Sequence, residues 1–444
     1  MVSRDTHSAS PGQVAPGWLQ QVVDSKHQPS PTMYAWTPAN LDPTSNPPTS
    51  PHMDKNDERR IYILGIGNGI GRLYAMCLSK LADRPPITLV VHKKELLEYW
   101  TRDPGIKLTR HGVVEKDKDF DIEWWTATRP DHGPVSELAA EDSCISNLII
   151  ATKASDAMPQ VDRIRKYLTG RSTVAFAQNG MCKLWPPLGE TFMRTRFGSE
   201  GPSWIACVTT HGVTSQGLFS STHASPADVQ VGPIRETYRK GGETCYLVQQ
   251  MENAPGLAAR QVSRKDIWVS QLEKLAVNVI INPLTGVLDC KNGELFLNHH
   301  GDALPIVIDA LLLEASCILQ ALVRDETSED ILLPEPRTSA GATRDILRLS
   351  RDELLTRFSF SRLKTMLHDV GAKVAANTSS MLQDVRAGRQ TEIDEMNGWL
   401  VGTAKVLGGA LSTSTHEKLI ALIKCRTKLS RKELCANLLG HPPS

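Results

Sequence analysis

Ile61-Tyr-Ile-Leu64-Gly65-Ile66-Gly67-Asn68-Gly69-Ile70-Gly71 is the stretch on which the fold turns. Its first four residues are an apolar run of strand length. The glycines that follow permit a tight turn, and residues 72–81 read as a helix. Strand, glycine turn and helix form the frame in which a dinucleotide fingerprint has meaning. The glycines let the backbone approach a pyrophosphate, and free N–H groups at the helix start face it. Counted from Gly65, the third glycine of G-x-G-x-x-G would fall at position 70. It is Gly71 here, so the turn is one residue longer. Gly65, Ile66, Gly67, Asn68, Gly69, Ile70 and Gly71 are the candidate cofactor-binding positions.

Working outward, the next strand is Ile87-Thr-Leu-Val-Val91, followed by His92-Lys93-Lys94. An NAD site would place an acidic residue here for the ribose 2′-OH. A basic cluster suits a 2′-phosphate instead, so NADP(H) is the expected cofactor and Lys93 a candidate contact. Further strands are expected at 145–151, 173–177 and 204–208, each ending in polar residues. Ligands of open α/β sheets bind beyond such ends, which makes Lys153 and Asn179 candidates. His211, alone in a turn, is expected to be a structural hydrogen-bonder. Residues 229–233 and 244–249 alternate like edge strands closing the domain.

Residues 1–58 are rich in proline, serine and threonine and cannot bury enough apolar surface to offset ordering entropy. They are expected to be mostly disordered, with Trp18 and Met33-Tyr-Ala-Trp36 undocked. From about residue 266 the strands give way to helical periodicity at 271–282, 302–323, 344–357, 361–386, 392–407, 415–425 and 431–439, with residues 324–343 as a surface loop. The chain therefore reads as an α/β Rossmann-type domain (59–262) followed by an all-α domain (263–444), with a disordered N-terminal extension (1–58).

In the helical part, Lys274, Asn278 and Asn282 recur every fourth residue and fall on one helix face. Leu275, Ala276, Val277, Val279, Ile280 and Ile281 between them are apolar. Polar groups on a mostly buried helix need partners, since an unpaired amide costs about 1–3 kcal/mol, and a polar ligand along the stripe would supply them. Pro283 is expected to end or kink the helix. Further on, Asn377-Thr-Ser-Ser380-Met-Leu-Gln-Asp384-Val-Arg386-Ala-Gly388-Arg389-Gln-Thr391-Glu392-Ile-Asp394 reads as a helix end at 380–386, a break at Gly388 and a new helix capped by Thr391. Spacing alone makes Glu392 a first-turn charge that compensates the helix dipole.

The 444 residues carry a net charge of +1, so no general basic field recruits nucleic acid. Nine cysteines are scattered without zinc spacing, which suggests reduced thiols, an intracellular protein and no metal site. No run of about 18 apolar residues exists, so no membrane span is expected. The expected compartment is the cytoplasm, with an atypical mitochondrial signal in the extension as the alternative. A homodimer is left open.

Lys274 through Asn278, Asn282 and Asn292 to Leu295 resembles the signature helix and following loop of the ketopantoate reductases (2-dehydropantoate 2-reductases). Residues 377–398 resemble their second signature. With the glycine turn and Gln178-Asn179-Gly180-Met181, the resemblance spans residues 60–435. The N-terminal extension, 324–343 and the extra residue of the glycine turn fall outside it. It implies an NADPH-binding Rossmann domain, a helical domain, an active site in the cleft between them, and reduction of the ketone of 2-dehydropantoate to (R)-pantoate on the way to pantothenate. By position, Lys274 is then the general acid, and Asn179, Asn278, Asn282, Asn292 and Ser380 are substrate contacts. Glu392 is a catalytic carboxylate near cofactor and substrate, Asn179 also borders the cofactor, and Gly65, Gly67, Gly71, Lys93 and Lys153 are cofactor contacts. The alternatives are reduction of another 2-keto acid by the same mechanism, and a non-catalytic relative acting as a binding module.

Overall fold

In the computed structural model the described residues are 16–42, 57–139, 144–235, 245–297, 301–333 and 340–440. They divide into two compact units. The α/β unit holds residues 25–182 and 193–268; the helical unit holds residues up to 24, 183–192 and 269–444.

Helix α1 (Gly17–Asp24) opens the described chain. The α/β unit follows with β1 (Tyr34–Trp36), β2 (Ile61–Leu64), α2 (Gly69–Leu78), β3 (Ile87–Val91), α3 (Lys94–Arg102), β4 (Ile106–Arg110), β5 (Val113–Asp117), β6 (Asp121–Thr126), β7 (Asn147–Ile150), α4 (Ala154–Arg163), β8 (Thr173–Phe176), α5 (Gly189–Phe197), β9 (Ser203–Thr209), β10 (Gly212–Gly217), β11 (Ser220–Ser225), β12 (Val229–Arg235), α6 (Tyr246–Asn253) and β13 (Ala259–Gln261). One sheet has nine strands in the order β1-β6-β3-β2-β7-β8-β9-β12-β13. Strands β6, β3, β2, β7, β8 and β9 run parallel. Every residue of β2, β3, β7, β8 and β9 is buried, which is why these strands read as continuous apolar runs. The chain builds outward from β2 to β3 and β6 on one side, then returns to β7, β8 and β9 on the other. The switch point lies between β2 and β7, where open α/β sheets take their ligands.

Several sequence expectations fail here for identifiable reasons. Residues 16–42 are folded: Met33 and Ala35 are fully buried, Leu19 is almost so, and β1 pairs antiparallel with the sheet edge at β6. The docking that composition disfavours therefore occurs; few apolar residues are involved, but each is fully used. Residues 1–15 and 43–56 lie outside the described residues. Residues 246–253 form helix α6 rather than an edge strand. Strand β12 is not an edge, being flanked by β9 and β13. The four-stranded sheet β10-β11-β4-β5 went unrecognised because its residues are largely polar and half-exposed.

The helical unit contains α7 (Arg264–Leu288) over most of its length, α8 (Leu304–Arg324), α9 (Glu329–Leu332), α10 (Ala340–Arg357), α11 (Phe360–Lys373), α12 (Ser380–Arg386), α13 (Ile393–Leu407), α14 (Ser414–Lys424) and α15 (Arg431–Leu439). Helix α8 is its centre and packs against α10, α11, α13, α14 and α15. By length and composition α8 could cross a membrane, and 61% of its most apolar window is buried inside the protein. The stretch expected as one helix over 361–386 is two, α11 and α12. The expected loop at 324–343 carries α9 and the start of α10, with 334–339 outside the described residues.

Candidate functional site

In the α/β unit the glycine turn joins β2 to α2. Asn68 is the N-cap of α2: its side chain accepts from the Gly71 N–H at 3.0 Å and its amide nitrogen donates to the Ala151 carbonyl. The additional residue of the loop is absorbed by this cap, so Gly71 can still play the third glycine's part. A Cβ on Gly71 would lie 2.8 Å from the Gly65 carbonyl oxygen. Gly65 itself has φ +104°, and a Cβ there would meet the Ala151 carbonyl carbon at 2.4 Å. The turn after β2 thus packs backbone to backbone against the residue after β7, at the switch point. Ile66 is buried, and the Asn68 side chain is committed to holding the turn, so its contact to a cofactor would come from the backbone.

Two buried polar atoms at the ends of the neighbouring parallel strands have no protein partner: Thr152 Oγ1 after β7 and Gln178 Oε1 after β8. Buried polar atoms are rarely left unpaired. Together with the glycine turn they fit a bound dinucleotide. The sequence signal for both is a polar residue close behind a buried parallel strand, the same signal that marks their neighbours Lys153 and Asn179. Lys153 is the N-cap of α4 and half-buried, and Asn179 is half-buried one residue past Gln178.

The basic cluster after β3 is divided. Lys93 is exposed at the start of α3. Lys94 lies 5.6 Å above the Trp36 ring and 4.0 Å from Glu98. His92, which sequence reasoning passed over, places its ring 3.6 Å from where a Gly67 Cβ would stand. Burial, and then Lys93, lowers the His92 pKa. Replacing Lys93 by alanine is expected to weaken NADPH binding about tenfold and NADH binding far less, measured by fluorescence titration; Lys94→Ala, already engaged with Trp36 and Glu98, is expected to do less. Equal losses for both cofactors would contradict the 2′-phosphate reading.

His211 is buried and bonded on all sides: to the Leu257 carbonyl at 2.9 Å, to His223 Nε2 at 3.0 Å and from the Ala227 N–H at 2.9 Å. It is the structural hydrogen-bonder expected of it.

In the helical unit the polar stripe of α7 is real. Leu275, Ala276, Val277, Val279, Ile280 and Ile281 are each at most 7% exposed, and burying each of the larger ones contributes about 1.5–3 kcal/mol. Lys274 and Asn278 are half-buried on the remaining face. Asn282, one turn on, is buried and donates to Met396 Sδ at 3.6 Å, so the stripe closes towards that end. Of the two outcomes expected at Pro283, an end or a kink, the end does not occur. Helix α7 continues to Leu288 with the proline inside.

Burial lowers the Lys274 amine from its ordinary 10.5 to about 8, and the negative charge of Glu392 opposes that fall. Glu392 is half-buried and is itself the N-cap of α13, one residue later than a Thr391 cap would have placed the helix start. An amine with this pKa is still mostly protonated at neutral pH and gives up its proton readily, which suits an acid catalyst.

Residues 380–386, expected as the end of a longer helix, form a helix of their own, α12, which begins at Ser380. The Ser379 hydroxyl accepts from the Leu382 N–H at 3.1 Å and meets Thr285 Oγ1 of α7 at 2.7 Å, while Ser380 next to it is exposed. Ser379 therefore ties α12 to α7 and leaves Ser380 as the hydroxyl open to a ligand. Asn292 sits at the start of a 3₁₀ turn (Asn292–Phe296), bonded through its backbone N–H to the Asn377 carbonyl at 3.1 Å. Its side-chain Oδ1 is buried without a partner. The geometry thus ties α7 to α13 near Glu392 and to α12 near Ser380, and brings Asn292 to the loop before α12. Among the described residues no group of acidic, histidine and cysteine side chains could hold a metal.

The family model described as "Ketopantoate reductase PanE/ApbA" matches residues 61–236, and "Ketopantoate reductase PanE/ApbA C terminal" matches residues 266–427. The chain is 39% identical over 464 residues to a ketoisovalerate reductase of Beauveria bassiana, covering 96% of this chain and 99% of that protein. It is 29% identical over 390 residues to a probable 2-dehydropantoate 2-reductase of Schizosaccharomyces pombe, covering 84% and 97%. Among solved structures, D-mandelate dehydrogenase in a ternary complex with NADH and anilino(oxo)acetate shares the fold, with a TM-score of 0.55 at 16% identity over 84% of this chain and 99% of that one. Matched by both family models and similar to a reductase over nearly its whole length, the chain belongs to the PanE/ApbA ketopantoate reductase family of oxidoreductases.

Proposed function

We propose that this protein uses NADPH to reduce the keto group of a small branched 2-keto acid, with 2-ketoisovalerate as the foremost substrate. The observation that carries the reaction type is the Lys274 amine, held at about 8 by burial against the charge of Glu392. A bound nicotinamide supplies the hydride. The ketone carbon gains that hydride, its oxygen gains a proton, and the products are the 2-hydroxy acid and NADP⁺. The Lys274 ammonium stabilises the charge developing on the ketone oxygen and donates the proton. Asn278, one turn along the same face, and the Ser380 hydroxyl hold the carboxylate, which does not react. Asn292 offers a further amide, whereas Asn282, engaged with Met396, serves the helix pairing more than the ligand.

The choice of substrate rests on similarity. Three reductases named for ketoisovalerate are 39–40% identical to this chain, against 29% or less for those named for 2-dehydropantoate. The two acids differ by a hydroxymethyl group. A site built to hydrogen-bond that hydroxyl would reject the acid lacking it by orders of magnitude, whereas an apolar site discriminates less. The second reading, 2-dehydropantoate itself, is favoured by the family models. Both acids are to be offered with NADPH and kcat/KM compared. A ratio of ten or more for 2-ketoisovalerate supports the first reading, the inverse ratio supports the second, and turnover of neither overturns both.

The pH dependence follows from the amine. Lys274 is protonated below about 8, so reduction is expected to hold steady on the acid side of that value and to decline as pH rises through it. Oxidation of the hydroxy acid, which needs the neutral amine, should rise over the same range. A reduction rate flat to pH 10, roughly two units beyond that midpoint, would remove the amine from the rate-determining protonation.

A further inference from the structure

Pro283 sits inside α7, where it has no N–H to give to the carbonyl of residue 279. Val279 is fully buried, and an orphaned carbonyl there would cost much of a hydrogen bond's desolvation. The missing donor comes from another helix. Asn397 of α13, fully buried, donates from Nδ2 to the Val279 carbonyl at 2.8 Å.

The same nitrogen meets His416 Nδ1 at 2.9 Å, and His416 Nε2 faces the Leu311 carbonyl at 3.1 Å. A carbonyl only accepts, so Nε2 carries the imidazole proton and Nδ1 accepts from Asn397. Both amide hydrogens are then used, while Asn397 Oδ1 is buried without a partner. Asn397 serves here through its two donors, which neither Asp nor an apolar residue could supply. His416 is fixed in turn through its backbone N–H, which donates to Glu314 Oε2 at 3.2 Å.

The repaired bond lies between the two polar turns of α7. Lys274 and Asn278 precede it, and Asn282 follows it, donating to Met396, the neighbour of Asn397. The N-cap of the same α13 is Glu392, the charge that acts on Lys274. The other acidic groups on these two helices are engaged elsewhere: Asp266 with the Ser263 hydroxyl at 2.7 Å, Glu273 with Arg357 at 2.6 Å, Asp394 with Lys424 at 2.7 Å and Glu395 with Lys183 at 3.7 Å.

We propose that Asn397 is a positioning residue for Lys274: it supplies the hydrogen bond that Pro283 deletes from α7, and so keeps the helix straight enough to hold Lys274 and Asn278 in line and Lys274 beside Glu392. Its catalytic consequence rests on Lys274 being the acid; its structural content does not.

The test is a pair of variants of the full-length protein, Asn397→Ala and Pro283→Ala/Asn397→Ala. Alanine at 283 restores the backbone N–H to Val279 without Asn397. Two readouts are taken: turnover per folded protein with NADPH and 2-keto acid, and the pH midpoint of Lys274 labelling by an amine-reactive reagent, followed by mass spectrometry, which needs no activity. Asn397→Ala is expected to lose about tenfold or more in turnover by misplacement. Its Lys274 midpoint should fall by roughly half a unit or more as Glu392 ceases to face the amine squarely. The double variant should recover both. Both variants leave His416 Nδ1 unpaired and a cavity at 397, so both should melt earlier; the lowered melting temperature should persist while rate and midpoint return.

A double variant as impaired as the single one, or a single variant whose midpoint and turnover match wild type, overturns the proposal. Should the protein prove inactive with every keto acid, the labelling midpoints still decide it, so its failure is distinguishable from that of the reductase reading.

Discussion

Replacing Lys274 by alanine is expected to lower turnover by about a hundredfold or more while leaving the protein folded, the scale of losing a general acid that also stabilises the oxyanion. The amine is half-buried on the polar face of α7, and burial already disfavours its charge. Removing it relieves a desolvation cost and leaves the apolar faces of α7, where the helix's stability resides, untouched. The KM for NADPH should change little, because the glycine turn and the unpaired atoms at Thr152 and Gln178 belong to the other unit. Near-normal turnover with the melting temperature unchanged would take Lys274 out of the chemistry.

The second large effect is expected from Gly65→Ala. The residue has φ +104°, and its new Cβ would stand 2.4 Å from the Ala151 carbonyl carbon. The backbone conformation costs an L-residue about 1–3 kcal/mol. The clash is with main chain just past the end of β7, which cannot step aside as a flexible side chain would, and overpacking adds about 1–3 kcal/mol. The switch point must open to admit the methyl group, and that opening displaces the turn meant for the pyrophosphate. NADPH affinity should fall by about a hundredfold or more, read by fluorescence titration, together with a lower melting temperature. Gly67→Ala is the control: its Cβ would come no nearer than 3.6 Å to protein, against the His92 ring, so a loss of affinity there without a loss of stability would show a cofactor against the turn. Unchanged affinity in Gly65→Ala would contradict the assignment of this loop.

These two residues were legible from sequence because each lies in a long local pattern: glycines between a buried strand and a helix, and a polar residue every fourth position along an apolar helix. What was not legible depended on partners distant in the chain. A proline normally ends a helix, yet α7 runs through Pro283, and the carbonyl the proline leaves without a backbone donor accepts from Asn397, more than a hundred residues later. Met33 and Ala35 sit in a segment whose composition argues against folding, yet they add a strand to the edge at β6. Residues 244–249 alternate as a strand would, but Leu247, Val248 and Met251, buried in α6, also share one side of a helix, and tertiary packing selects that period. Ser380 and Glu392 were readable by resemblance; their local geometry was not, since the cap of α12 is Ser379 and that of α13 is Glu392 itself.

The account is tested most directly by following NADPH consumption and 2-hydroxy acid formation together, with 2-ketoisovalerate as substrate, for the wild type and Lys274→Ala at neutral pH. The expected result is one hydroxy acid formed per NADPH oxidised by the wild type, and a rate roughly a hundredfold or more lower for the variant, with NADPH still bound. A wild type that binds NADPH and leaves both this acid and 2-dehydropantoate unreduced, or a variant that reduces them as fast as the wild type, would contradict it.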